Sequence, residues 1–140
     1  MTDNTAKAKA YLHHLQDEER DVQQTISRAR NYKIKAMDTA AYISDMPRPA
    51  SPDLQHKARL VDAAVDLEKA AEEKHQLWLQ HRDEAMRYIQ MLSDSTERNV
   101  LKCRYLDALH WNDIATTLGY SEPTIFRFHR CALENLGSLL

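Results

Sequence analysis

Helix breakers are scarce in this chain and gathered in two places. Of 140 residues, only two are glycine and four are proline. Three of the prolines, Pro47, Pro49 and Pro52, stand within "SDMPRPASPD", residues 44–53. The fourth, Pro123, follows Gly119 in "WNDIATTLGYSEPTIFRFHRCAL", residues 111–133. Proline removes a backbone donor and pushes the residue before it out of helical geometry. Away from these points the chain is rich in Ala, Leu, Glu, Gln, Lys and Arg, which favour helix. Runs of β-branched residues with period-two alternation are missing. The expectation is an all-α fold: a long antiparallel helical hairpin, coiled-coil-like, followed by a compact three-helix unit. At this length the chain holds one domain, or one small domain with an extension.

The hairpin is expected over residues 1–93, with its bend at about 45–52 and the module at 94–140. Its first helix spans about 3–44, roughly 60 Å at 1.5 Å per residue. Apolar or small residues recur there at Ala8, Leu12, Leu15, Val22, Ile26, Ala29, Ala36, Ala40 and Ile43. Polar Glu19 and Lys33 interrupt the same stripe. Ser51 and Pro52 read as an N-cap and first helical position, with Asp53 beside the positive helix end. The second helix then runs to about Leu92 and carries two stripes. One includes Leu60, Ala64, Leu67, Ala71, Ala85 and Leu92; the other includes Leu54, Ala58, Val61, Val65, Met86 and Ile89. A hairpin uses one seam. The second seam implies another surface, either the C-terminal module or another copy of the chain, and a homodimer through the hairpin is the expectation.

Ser95, Thr96 and Glu97 read as a cap followed by an acidic residue, opening a helix whose apolar face is Val100, Leu101, Tyr105 and Leu106. Counting from Trp111, Ile114 and Ala115 face a partner helix and Leu118 closes the first helix of the pair. Gly119 turns the chain through positive φ, Tyr120 plugs the corner, and Ser121 caps the next helix with Pro123 in its first turn. Ile125, Phe128, Ala132, Leu133 and Leu136 form the inner stripe of that helix. The glycine and proline therefore join two helices and set the angle between them, as in a helix-turn-helix that aims its second helix at a major groove.

The outward face carries Ser121, Glu122, Thr124, Phe126, Arg127 and Arg130, with His129 at its edge. Arginine reads guanine bidentately or holds phosphate, threonine contacts phosphate or a thymine methyl, and glutamate accepts from cytosine. Phe126 either touches thymine methyls or packs on the neighbouring zone. The formal net charge of the chain is −2, so DNA affinity has to come from a local patch. From Ser95 to Leu140, five basic residues meet five acidic ones. Arg127 and Arg130 both lie on the presumed recognition helix.

The stretch "TERNVLKCRYLDALHWNDIATTLGYSEPTIFRFHRCALENL" resembles the C-terminal helix-turn-helix of sigma factors, the sigma-70 region 4 that reads the −35 promoter element. It is similar above all to the small sigma-like regulators of phages and prophages of Gram-positive bacteria, the ArpU and RinA types. In many of these a helical hairpin precedes the same module. The resemblance implies sequence-specific DNA binding through Ser121, Glu122, Thr124, Phe126, Arg127 and Arg130 in transcription control. RNA polymerase is a second partner of that kind. Where the family's recognition helix is often more basic, this one has Pro123 and Phe126. No sigma region 2 sequence precedes the module, so a complete sigma factor is not expected.

The remaining signals are weaker. No apolar run approaches the roughly 20 residues that cross a bilayer, and the N-terminus lacks a signal-peptide core. Cys103 and Cys131 stand apart, as reduced thiols of a bacterial or phage-infected host cytoplasm. His13 and His14 are adjacent and His75 and His81 six apart, poor spacing for a metal. The basic residues Arg28, Arg30, Lys33, Lys35 and Arg48 read as a solvated face near the bend. Neither a nucleophile elbow nor a phosphate-cradling loop is present, so neither an enzyme nor a cofactor is expected. Two rivals to a regulator remain: an adaptor docking on polymerase or a host regulator, and a small-terminase-like packaging subunit.

Overall fold

The computed structural model describes residues 2–44 and 51–140, without the side chains of 39–44 and 51–53. Among the described residues the fold is all-α, as composition and breaker placement imply. Its helices are α1 (Asp3–Ser44), α2 (Ser51–Gln90), α3 (Ser95–Leu101), α4 (Trp111–Leu118) and α5 (Glu122–Leu139). The expected roles of Pro47, Pro49, Arg48, Ala40, Ile43 and the Ser51–Asp53 side chains lie outside the described residues.

Packing divides the chain into two units. One comprises Glu19–Leu77, the facing middle parts of α1 and α2. The other comprises Met1–Glu18 together with Trp78–Leu140. The packing boundary therefore does not follow chain order at residue 93, because both ends of the hairpin supply core to the module.

In the Glu19–Leu77 unit the helices run antiparallel. Lys74 Nζ lies 3.0 Å from an Asp21 carboxylate oxygen, and Lys33 pairs with Glu68, so rising numbers on α1 meet falling numbers on α2. Val22, Ala29, Ala36, Leu60, Ala64 and Ala71 are buried between them. Four of these are alanine, which lets the backbones approach closely. One expectation needs correction here. Ile26, placed on the buried stripe, is 36% exposed. Polar Lys33, on the same stripe, sits at the rim of the seam, where its ammonium meets Glu68.

In the other unit, Ala8 and Leu12 of α1, Ile89 in the last turn of α2, Leu92 just beyond it, and Leu101, Leu133 and Leu136 share one apolar core. Leu12, Ile89, Leu101 and Leu136 are fully buried, and truncating such a leucine to alanine typically costs about 2–5 kcal/mol. A satellite core joins Val100, Ile114, Ala115 and Ile125 under Trp111, Leu118 and Phe128.

The start of α3 differs from expectation. Asp94, not Ser95, is the N-cap: its carboxylate accepts from the N–H of Thr96 at 2.8 Å and of Glu97 at 3.1 Å. Aspartate combines the geometry of a cap with a negative charge at the positive helix end, leaving Ser95 as the first helical residue. Glu97 is buried and accepts from Asn135 Nδ2 at 2.9 Å, tying α3 to α5. The helix then widens into a π-helical segment, Lys102–Leu106. The Asp107 N–H donates to the Lys102 carbonyl at 3.0 Å, five residues back.

The turn between α4 and α5 is built as its residues require. Gly119 has φ 77° and ψ 32°; its N–H and that of Tyr120 both donate to the Ala115 carbonyl, at 2.9 and 3.1 Å. No atom lies within 4 Å of where a Gly119 Cβ would stand. The demand for glycine is thus conformational alone, about 1–2 kcal/mol against an L side chain. Ser121 is extended and caps α5, accepting from the Thr124 N–H at 3.4 Å.

Candidate nucleic-acid interface

Pro123 stands in the first turn of α5, and Ile125, Ala132, Leu133 and Leu136 face inward. That inner stripe leaves the opposite side of the helix to solvent over its first three turns. Ser121, Glu122, Phe126, Arg127 and Arg130 are exposed there and Thr124 is half-exposed. All six predicted positions therefore lie at or just before the solvent-facing start of one helix.

Their partners differ. The Ser121 hydroxyl lies 2.9 Å from that of Thr124, so it serves the cap before any ligand. Arg127 reaches back to donate to Thr124 Oγ1 at 3.4 Å, a long contact that leaves most of its donor fork to solvent. Thr124, Arg127 and exposed Cys131 border one shallow groove. Phe126 and Arg130 border another.

Of the two roles open to it from sequence, Phe126 takes up packing on the neighbouring zone. It packs edge-on against Trp111, with ring centroids 5.1 Å apart, and remains 39% exposed. Tyr120 likewise rests on Phe128 at 5.2 Å while 42% exposed; it flanks the corner instead of filling it. The Arg104 guanidinium also lies over Trp111, 4.5 Å from the ring centroid. The α4–α5 corner thus rests on a cation–π and aromatic stack.

His129 is corrected. It turns toward the core, stacked near Tyr105 and edge-on to Trp111, with Nε2 2.8 Å from the Tyr105 hydroxyl. Burial first, then the charges of Lys9 and Arg104, push its pKa down from 6.5 to about 4. Burial pushes Tyr105 up to about 12. The pair is a phenol donating to a neutral imidazole. Because the folded-state pKa lies below the unfolded one, stability from this site is present above pH 6.5 and is lost as pH falls toward 4. The expected loss between pH 7 and 5 is about 2 kcal/mol. Thermal melts of His129→Gln, which keeps an acceptor without a titrating ring, should show that slope removed.

Sequence reasoning missed the contribution of α1. Lys9 borders the same groove as Phe126 and Arg130, and Glu134 accepts from Thr2, from Thr5 at 2.9 Å and from Asn4 at 3.4 Å. The Thr2 and Thr5 hydroxyls hold the Glu134 carboxyl below its ordinary pKa. This clamp pins the second half of α5 under the start of α1. No local sequence signal links positions about 130 apart, although a glycine at 137, inside the last turn of α5, is a trace of it.

The fold and this face define an all-α protein in which a helical hairpin carries a helix–turn–helix arrangement. The chain belongs to the protein family DUF1492, described as a family of unknown function, which it matches over residues 55–137. That span takes in most of α2 and all of α3, α4 and α5 up to Gly137. No curated protein matches the chain, and no solved structure does. Among the described residues, no helix is long and apolar enough to cross a membrane.

Proposed function

We propose that this chain is a sequence-specific DNA-binding transcriptional regulator of phage or prophage origin, acting in the bacterial cytoplasm. One observation carries the reading. Behind a turn held by Gly119 and a Ser121 cap, α5 presents Thr124, Arg127 and Arg130 to solvent on its first three turns. Recognition helices read base edges with residues near their N-terminus, which is where these stand. Arg127 and Arg130 supply the charge, and Glu122 and Thr124 the polar discrimination.

A second reading is favoured by Phe126, whose 39% exposure puts an aromatic surface in the middle of the face. Five basic residues against five acidic over Ser95–Leu140 also give the module little field of its own. On this reading the face docks on RNA polymerase or a host regulator, and DNA contact is incidental.

Selection of bound fragments from the source genome separates the two. A regulator enriches a short discrete site upstream of a gene, with log affinity falling linearly in log salt at about −0.9 per phosphate neutralised. Folded protein that enriches nothing, yet retains polymerase in the absence of DNA, establishes the adaptor.

A further inference from the structure

Among the described residues, half of the second apolar stripe on α2 finds no cover. Ile89 is fully buried, whereas Leu54, Val61 and Val65 are 47%, 42% and 39% exposed. Their spacing of seven and four residues is the d-to-d and d-to-a spacing of a heptad seam. On α1, Met37 is 71% exposed and borders the same groove as Val61 and Val65. The groove continues past Lys33 between Arg30 on α1 and Glu68 and Glu72 on α2. One face of the Glu19–Leu77 unit is therefore apolar toward the hairpin bend. Beyond that end it is basic along α1 and acidic along α2.

We infer that this face is a self-complementary interface for a second copy of the chain. The two hairpins stack face to face about a twofold axis parallel to their helices. Such an axis preserves height along the hairpin and lays each α1 antiparallel over the other copy's α2. Apolar then meets apolar at Met37, Val61 and Val65, and Arg30 and Lys33 face Glu68 and Glu72 of the second copy. A twofold axis across the helices would instead lay α1 on α1, basic on basic, and is disfavoured by charge. The size fits as well. Twenty-six residues of α1 from Glu19 to Ser44 span about 39 Å. Two adjacent helices give a face of ~800 Å² per partner, the half-area of a standard stable interface.

The inference deepens the functional reading, for which it supplies two α5 helices to meet two half-sites, but the interface does not require DNA. Sedimentation equilibrium at micromolar concentration is expected to give twice the 16.3 kDa chain mass. Val61→Glu with Val65→Glu, both at exposed positions, should give a monomer with unchanged helical circular dichroism. Arg30→Glu should raise the dimer dissociation constant at least tenfold, and Arg30→Glu with Glu72→Arg should restore it. A wild-type monomer, a dimer indifferent to the double glutamate, or a charge swap without rescue each overturns the interface. Repeating the fragment selection with the monomeric variant separates the two ideas. Weak half-site binding by that variant supports the DNA reading, whereas a wild-type dimer that enriches no DNA removes that reading and leaves the interface standing.

Discussion

Replacing Arg127 and Arg130 together by alanine is expected to lower affinity for the selected site by about 100-fold or more. A good arginine contact to a guanine edge is worth about 1–3 kcal/mol, and two such losses multiply. If one of the pair holds phosphate instead, its loss also flattens the salt dependence by about 0.9 in log–log slope. The two single variants then differ in kind. The base-reading arginine relaxes preference at one position of the site, whereas the phosphate-holding one weakens every sequence alike. Both side chains are exposed, and Arg127 makes a long contact to Thr124 at 3.4 Å. Folding stability should therefore move by less than about 0.5 kcal/mol. Fluorescence anisotropy on the selected site, with circular dichroism of the same samples, makes the comparison. Unchanged affinity in a folded double variant removes α5 as the reading helix.

The second large effect is expected at Gly137, where two opposing forces can be told apart by sign. In an exposed helix, glycine to alanine gains about 1 kcal/mol. Here a Cβ would stand 2.0 Å from the Asn4 carbonyl oxygen and 2.7 Å from the Asn4 Cα. Those are backbone atoms, so relief requires lifting the whole start of α1 from α5. That movement strips Ala8 and Leu12 from Leu133 and Leu136 and opens the hydroxyl clamp on Glu134. Overpacking of this kind typically costs about 1–3 kcal/mol, occasionally more, and lost clamp bonds add to it. Gly137→Ala should lower the melting midpoint by about 5–10 °C, at roughly 3 °C per kcal/mol for a chain of this size. A raised midpoint would show that α1 does not rest on α5. Asn4→Gly offers no relief, since the clash is with main-chain atoms; deletion of the first four residues should make Gly137→Ala neutral or stabilising.

Both predictions bear on how α5 is used. The arginines act on its free half, and Gly137 fixes the half that is not free. Because the clamp and the aromatic stack of Arg104, Trp111 and Phe126 hold opposite ends of the same helix, α5 is already oriented for the DNA contact proposed above. Less ordering entropy is then lost on binding.

Much of this was readable from local chemistry. Gly119 marks where α4 stops and Pro123 where α5 begins, since each acts through its own backbone geometry and needs no distant partner. Ser121 as a cap and Ile125, Ala132, Leu133 and Leu136 as an inner stripe follow from helical period in the same way. The exposed positions of α5 are the complement of that stripe, so the candidate site was legible with them. Where two neighbouring residues could both cap, as Asp94 and Ser95 could, the choice turned on a side-chain conformation that sequence does not display.

What needed the tertiary structure is of another kind. The packing of α1 onto α5, the inward turn of His129 and the bare Val61–Val65 seam each depend on which surfaces meet. Periodicity says that a face is apolar but not what covers it. The burial of Ile89 beside the exposure of Val61, on one stripe of one helix, is that distinction in a single element. Local backbone preferences are settled within a few residues, whereas the choice of packing partner is a property of the whole chain.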